Sequence, residues 1–232
     1  MEREKMARYT HRLINDMKTL LKDPKSGFRL LYDMRVRAGR YTIMSETFVE
    51  QPYHWLLIRL RPKTTLIDIG ANIGDTAIYF GMSERVSRVV AYEPVPDTFG
   101  IAKDNVKKSP YYGKISLLNK AVTSGGGSKR IDPEMLGSGC SNFESLSQSE
   151  RGLVIESVTL QKALRGLKNV AIKCDCEGAE ATLFDRADLG NVYAIQVEYH
   201  ECLDKVLRTL KSKGFKTTHD GTKALGYVYA TR

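Results

Sequence analysis

The run Leu66-Ile67-Asp68-Ile69-Gly70-Ala71-Asn72-Ile73-Gly74 constrains this chain more than any other stretch. Thr65 to Ile69 is a short, apolar, β-rich segment, and Gly70 and Gly74 let the backbone turn sharply and approach a ligand before a helix runs through Phe80. Nineteen residues beyond Gly74 comes Glu93, in Tyr92-Glu93-Pro94 at the end of the next strand, Arg88 to Tyr92. A carboxylate at that place in a β-α-β unit accepts both hydroxyls of a ribose. Turn and acid together predict an adenosine-containing ligand, with NAD and S-adenosylmethionine as the alternatives. The dinucleotide fingerprint G-x-G-x-x-G is absent, because Asn72 stands at the middle glycine and Asp75 follows Gly74. Asp68 at the strand's end suits the amino-acid part of S-adenosylmethionine better than a diphosphate.

Strands continue to alternate with helices after this unit. A helix is predicted over Asp97 to Lys107, and strands over Ile115 to Leu118, Val170 to Cys174, Ala194 to Glu198, around Phe215, and over Tyr227 to Ala230. Helices fall near Ala179 to Phe184 and Glu201 to Lys213. Repeated units of this length predict an α/β, Rossmann-like fold, with a mostly parallel sheet and helices on both faces. The last two strands are close in sequence, which predicts an antiparallel hairpin at one edge. The stretch 123–152 is rich in Gly and Ser and reads as a long polar loop.

The charge is divided unevenly. Residues 1–63 hold 14 Lys/Arg and 7 Asp/Glu, net +7; residues 64–200 hold 15 and 17, net −2; residues 201–232 hold 7 and 3, net +4. The basic excess therefore lies at the two ends of the chain, which suits either a solvated surface or a polyanion-binding one. At the start, Met6, Tyr9, Leu13, Met17, Leu20 and Leu21 recur at helical spacing, with Arg8, Arg12, Lys18 and Lys22 on the polar side and Asp23-Pro24 as the stop. A basic turn with Arg35, Arg37 and Arg40 follows, then a second helix near Tyr53 to Leu60. The reading divides the chain into a basic N-terminal helical extension, 1–63, and a motif-bearing domain, 64–232.

No apolar run reaches the ~18 residues of a membrane span, and the charged start is unlike a secretory leader. Cys140, Cys174, Cys176 and Cys202 form neither a zinc array nor a disulfide framework, so the expected compartment is a reducing cytoplasm. Cys174 and Cys176 alternate on one strand and read as buried thiols, and no metal site is expected.

After the Asp68 to Gly74 turn and Tyr92-Glu93-Pro94, four further segments are ordered along residues 64–200. They are Asn119-Lys120-Ala121-Val122, Val158-Thr159-Leu160, Lys173-Cys174-Asp175-Cys176-Glu177-Gly178-Ala179-Glu180 and Glu198-Tyr199-His200. In that order they resemble the motifs of FkbM-type methyltransferases. The resemblance implies a class I S-adenosylmethionine-dependent methyltransferase fold, with a seven-stranded sheet and one antiparallel strand at its edge. It implies that Asp68, Gly70, Asn72 and Gly74 line the methionine side of the cofactor, with Asp175 adjacent. Glu93 then holds the ribose, and Asn119 to Ala121 flank the adenine.

Asp175, Glu177 and Glu180 follow one strand and Glu198 and His200 end another, at the edge where such sheets bind ligands. Asp175, His200 and Glu177 are the candidate catalytic residues, Asp175 or His200 as general base if the acceptor is a hydroxyl. Glu180 and Glu198, with Arg35, Arg37 and Arg40, are candidate substrate-binding residues. The basic ends lean toward structured RNA, tRNA or rRNA, as the acceptor, with Tyr9, Tyr32, Tyr41, Tyr53 and Trp55 available to stack on bases. The alternative is O-methylation of a sugar or small-molecule hydroxyl.

Overall fold

The computed structural model describes residues 46–131 and 152–232. The helix expected over residues 3–22, Arg35, Arg37, Arg40 and Cys140 lie outside the described residues, as does most of the 123–152 stretch. A π-helical turn, Glu46–Glu50, and helix α1, His54–Leu57, lead into strand β1, Thr64–Ile69. Helix α2, Asp75–Gly81, strand β2, Val86–Tyr92, helix α3, Pro96–Lys108, and strand β3, Ile115–Leu118, complete the first half. Strands β4, Ala121–Thr123, β5, Gly127–Ile131, and β6, Leu153–Thr159, precede helix α4, Leu160–Ala163. The second half runs through β7, Val170–Cys174, α5, Glu180–Leu183, β8, Val192–His200, α6, Leu203–Ser212, β9, Lys216–His219, and β10, Leu225–Thr231.

Seven strands form one sheet in the order β3-β2-β1-β7-β8-β10-β9. β10 runs antiparallel to both β8 and β9, so the reversed strand lies one place in from the edge and makes the expected hairpin with β9. The chain builds β1, β2 and β3 outward on one side, then crosses to build β7 and β8 on the other. The crossing leaves a crevice at the carboxyl ends of β1 and β7, the usual ligand position in such sheets.

Both faces are covered, which is why the central strands read as continuous apolar runs. Ile67, Ile172, Ile195 and Val197 face one core with Leu183 of α5 and Val206 and Leu210 of α6. Leu66, Ala171 and Ala194 face the other, with Ile78 and Phe80 of α2. Phe48, Tyr53, Leu56, Leu57 and Leu60 are buried in that second core. Burial of such side chains contributes about 1.5–3 kcal/mol apiece, so residues 46–60 fold with the sheet. The part of the 1–63 segment described here is therefore continuous with the domain it precedes.

The polar stretch after β3 also departs from a simple loop. Gly127–Ile131 pairs antiparallel with β6, and β4 pairs parallel with β6, giving a small three-stranded sheet in the order β4-β6-β5. β5, with the sequence Gly-Ser-Lys-Arg-Ile, gains its strand character from a pairing partner some 25 residues away rather than from its own polar residues. None of the helices among the described residues is long and apolar enough to cross a membrane.

Candidate active site

Sheet register assembles the site. Ile69 of β1 pairs with Tyr92 of β2 and with Cys174 of β7, and Cys174 pairs with Val197 of β8. The next residue on each strand is Gly70, Glu93, Asp175 and Glu198, so four motif residues far apart in sequence emerge in one row at the carboxyl edge.

On the β1–β2 side, backbone geometry dominates. Gly70 has φ +79°, and a Cβ there would lie 1.8 Å from the Asp175 carbonyl oxygen, so this position admits only glycine. Asn72 and Gly74 also turn through positive φ, and Gly74 precedes α2. The Glu93 carboxylate accepts the N–H of Asn72 at 2.9 Å and of Val95 at 2.9 Å, which holds it beside the glycine turn. A carboxylate at this place in a β-α-β unit can accept from the hydroxyls of a ribose. Asn119 donates its amide to the carbonyls of Glu93 and Pro94, at 2.9 and 3.0 Å, and thereby fixes the loop that carries the acid. Ala121 is buried at the start of β4. A glycine turn with a carboxylate fixed beside it fits the ribose and methionine portions of S-adenosylmethionine.

Asp68 is fully buried, accepting from Thr76 Oγ1 at 2.6 Å and facing Lys173 Nζ at 3.3 Å. Lys173 is the link between the two sides. Its ammonium donates to the Gly70 carbonyl at 2.7 Å and stands 3.8 Å from Asp175. Burial opposes the charge on Lys173, but Asp68, Asp175 and Asp75 outweigh it and raise its proton affinity. A lysine inside the otherwise apolar strand Val-Ala-Ile-Lys-Cys was a legible signal that the sequence reading left unused.

On the β7–β8 side, charge dominates. His200 Nε2 lies 3.3 Å from Glu177, and Nδ1 lies 3.6 Å from Glu180, an ion-pair distance longer than a hydrogen bond. Glu180 and then Glu177 and Asp175 hold His200 up at about 9, against the opposing effect of burial. Glu180 is buried, and its two oxygens accept the backbone N–H groups of Cys176 at 2.8 Å and Gly178 at 2.7 Å, clasping the turn after β7. Burial pushes Glu180 up, but His200 and the backbone N–H groups of Cys176 and of Glu180 itself pull it below its ordinary value. Burial and then the Asp175 charge lift Glu177 to about 7 and Glu198 to about 7.

Further residues that the sequence reading did not assign complete the cluster. Glu46 is raised by burial and by Asp175, and Asp75, fully buried beside Thr47 Oγ1 at 2.6 Å, is raised by burial to about 6. Tyr227 of β10 hydrogen-bonds Glu198. These contacts join elements distant in the chain, so only the sheet order brings them together. Asp175, Glu198 and His200 each bring one polar atom within 4.8 Å of the others, but His200, held up at about 9, is protonated at neutral pH and has no lone pair to give a cation.

The family described as Methyltransferase FkbM domain matches residues 68–217. No curated protein matches the chain. Among solved structures, the chain is similar to methyltransferase FkbM from Methylobacillus flagellatus KT, with TM-score 0.52 and 12% identity over 88% of this chain and 57% of that one. It is also similar to precorrin-6y C5,15-methyltransferase from Geobacter metallireducens GS-15, with TM-score 0.50 and 16% identity over 79% of this chain and 89% of that one. At these identities both likenesses describe the fold, and the family match covers the glycine turn, Glu93, Asp175, Glu177, Glu180, Glu198 and His200, with Glu46 and Tyr227 outside it. The chain belongs to the FkbM methyltransferase family and is an S-adenosylmethionine-dependent methyltransferase.

Proposed function

We propose that this enzyme methylates a hydroxyl group on an uncharged or cationic acceptor of the sugar or small-molecule class. The observation that carries this reading is the pair Asp175 and Glu198 beside the glycine turn, with Glu198 lifted to about 7. A hydroxyl must lose its proton as the new C–O bond forms, and a base is most effective when its pKa lies near the working pH. Glu198 meets that condition. His200, held at about 9, stays a cation at neutral pH and steadies Glu177, so the base role expected of His200 or Asp175 falls better to Glu198. Bound S-adenosylmethionine supplies an electrophilic methyl group. The carboxylates of Glu46, Asp175, Glu177 and Glu198 share this edge, and Lys173 is already engaged by Asp68. Their combined field disfavours a phosphate next to the reacting hydroxyl.

A specific observation supports structured RNA, tRNA or rRNA, as a second reading. The two basic ends meet, since Arg61 Nη2 donates to the Arg232 carbonyl oxygen at 3.0 Å. With Lys168 they line a cavity of about 450 Å³ at the amino ends of β7 and β8, opposite the carboxylate cluster. A phosphate backbone held there has to reach around the sheet to present a nucleoside. Both readings suit a reducing cytoplasm, in which the Cys174 and Cys176 sulfurs, 3.6 Å apart, remain thiols.

Incubation with labelled methyl donor and separate glycan, small-molecule and bulk RNA fractions tests the choice. Label on a hydroxyl of the first two supports the main reading, label in nucleosides the second, and label in none overturns both. With a hydroxyl acceptor, kcat/KM rises with pH through about 7 as Glu198 ionises and falls through about 9 as His200 loses its proton. A profile flat between pH 6 and 8 removes Glu198 as the base.

A further inference from the structure

We propose that Tyr53 is a positioning residue of the transfer site, its hydroxyl standing between Asp175 and Glu198 and holding the two carboxylates side by side against their repulsion. The proposal rests on the reading of Glu198 as the base. Tyr53 lies ahead of β1 and outside the family match, so no motif assigns it. Its Oη is 3.4 Å from Asp175 Oδ2 and 3.5 Å from Glu198 Oε2. At that spacing neither contact is short, and one O–H serves the two acceptors in turn. Such bonds tighten when an acceptor closes the site.

The ring has little freedom to leave this place. Tyr53 is 4% exposed, with Tyr227 edge-on at 6.2 Å, Phe80 at 6.3 Å and Lys173 Nζ 5.3 Å above the ring. The preceding residue is tied to β8, because Gln196 Nε2 donates to the Pro52 carbonyl at 2.9 Å. Burial and the adjacent Asp175 and Glu198 charges keep the phenol protonated, so toward the carboxylates it is a donor.

The charged groups around it explain why a neutral donor matters. Glu46 comes from the π-helical turn and Asp75 from α2, while Lys173, Asp175 and Glu177 come from β7 and its following turn. β8 adds Glu198 and His200, and β10 adds Tyr227. Lys173 makes its shorter contacts with Gly70 and Asp68, and His200 with Glu177 and Glu180. Lys173, 3.8 Å from Asp175, offsets part of the repulsion, and two phenols, Tyr53 between the pair and Tyr227 on Glu198, add the donors closest to Glu198.

Tyr53→Phe keeps the ring and removes the donor. In the full-length protein with carbon-labelled glutamate, NMR titration of the Glu198 carboxyl should move up by about half a unit to one unit. The acid limb of kcat/KM should move with it, and kcat at pH 7 should fall about threefold to tenfold. S-adenosylmethionine affinity by calorimetry should stay within about twofold. In a Glu198→Gln background, the effect of Tyr53→Phe on kcat should nearly vanish. An unmoved Glu198 titration overturns the proposal. So does an equal loss in both backgrounds, or a loss of cofactor affinity in step with kcat, which marks a packing role. If no hydroxyl acceptor is found, the proposed reaction falls while the carboxyl titration still decides the role of Tyr53.

Discussion

Around Gly70 the polar groups meet backbone: Glu93 accepts from Asn72 and Val95, and Asn119 donates to Glu93 and Pro94. At the ends of β7 and β8, Glu177 and Glu198 each feel the charge of Asp175, and these charges are met by Lys173, His200 and two phenols. The first half is held in one fixed shape by hydrogen bonds to backbone. The second half holds Glu177 and Glu198, each lifted to about 7, so its charge responds to protons and to what binds. That contrast teaches a division of labour: cofactor binding should be nearly indifferent to pH around neutrality, and turnover should not be.

Lys173 is the place to break the comparison, since it touches both halves. Lys173→Met leaves Asp68 and Asp175 facing each other with no buried cation, and the loss of one partner from such a cluster costs about 3–5 kcal/mol. Denaturant unfolding measures this directly, and a loss below about 1 kcal/mol would show that the carboxylates simply take up protons. Glu93→Gln sharpens the contrast from the other side. Weakening the charged acceptor should lower S-adenosylmethionine affinity about tenfold to a hundredfold by calorimetry. The pH profile of turnover should keep its shape, and a displaced acid limb would show that the halves are not separable. Gly100→Ala, on α3 away from both halves and with nothing within 4 Å of the added carbon, is the smallest expected effect. It should stabilise the fold by about 0.5–1 kcal/mol and leave affinity and turnover unchanged.

Much of the sheet was legible from local pattern. Thr65 to Ile69, Arg88 to Tyr92 and Ile115 to Leu118 were read within two residues of β1, β2 and β3, because each holds a short β-rich run of mostly apolar residues. Asp175, Glu177, Glu198 and His200 could be named as a cluster because they end apolar strands. Other elements were hidden by composition. The basic excess of residues 1–63 concealed that Phe48, Leu56, Leu57 and Leu60 fill the core under α2. The glycines before Ser128 concealed β5, whose strand exists through pairing with β6. Tyr53 read as packing or a stacking surface, since nothing local indicates that its hydroxyl reaches residues more than a hundred positions away.

By itself the sequence determined the β-α alternation, the glycine turn, the acid after the second strand and the acidic ends of the later strands, since these follow from residue type at short range. Tertiary structure decided the rest. It placed β7 beside β1, set Lys173 between Asp68 and Asp175, and turned Tyr53 and Tyr227 toward one pair of carboxylates. The proton affinities that separate Glu198 from His200 come from burial and from charges within a few ångströms in space. Chain order carries no record of those distances until the sheet has closed.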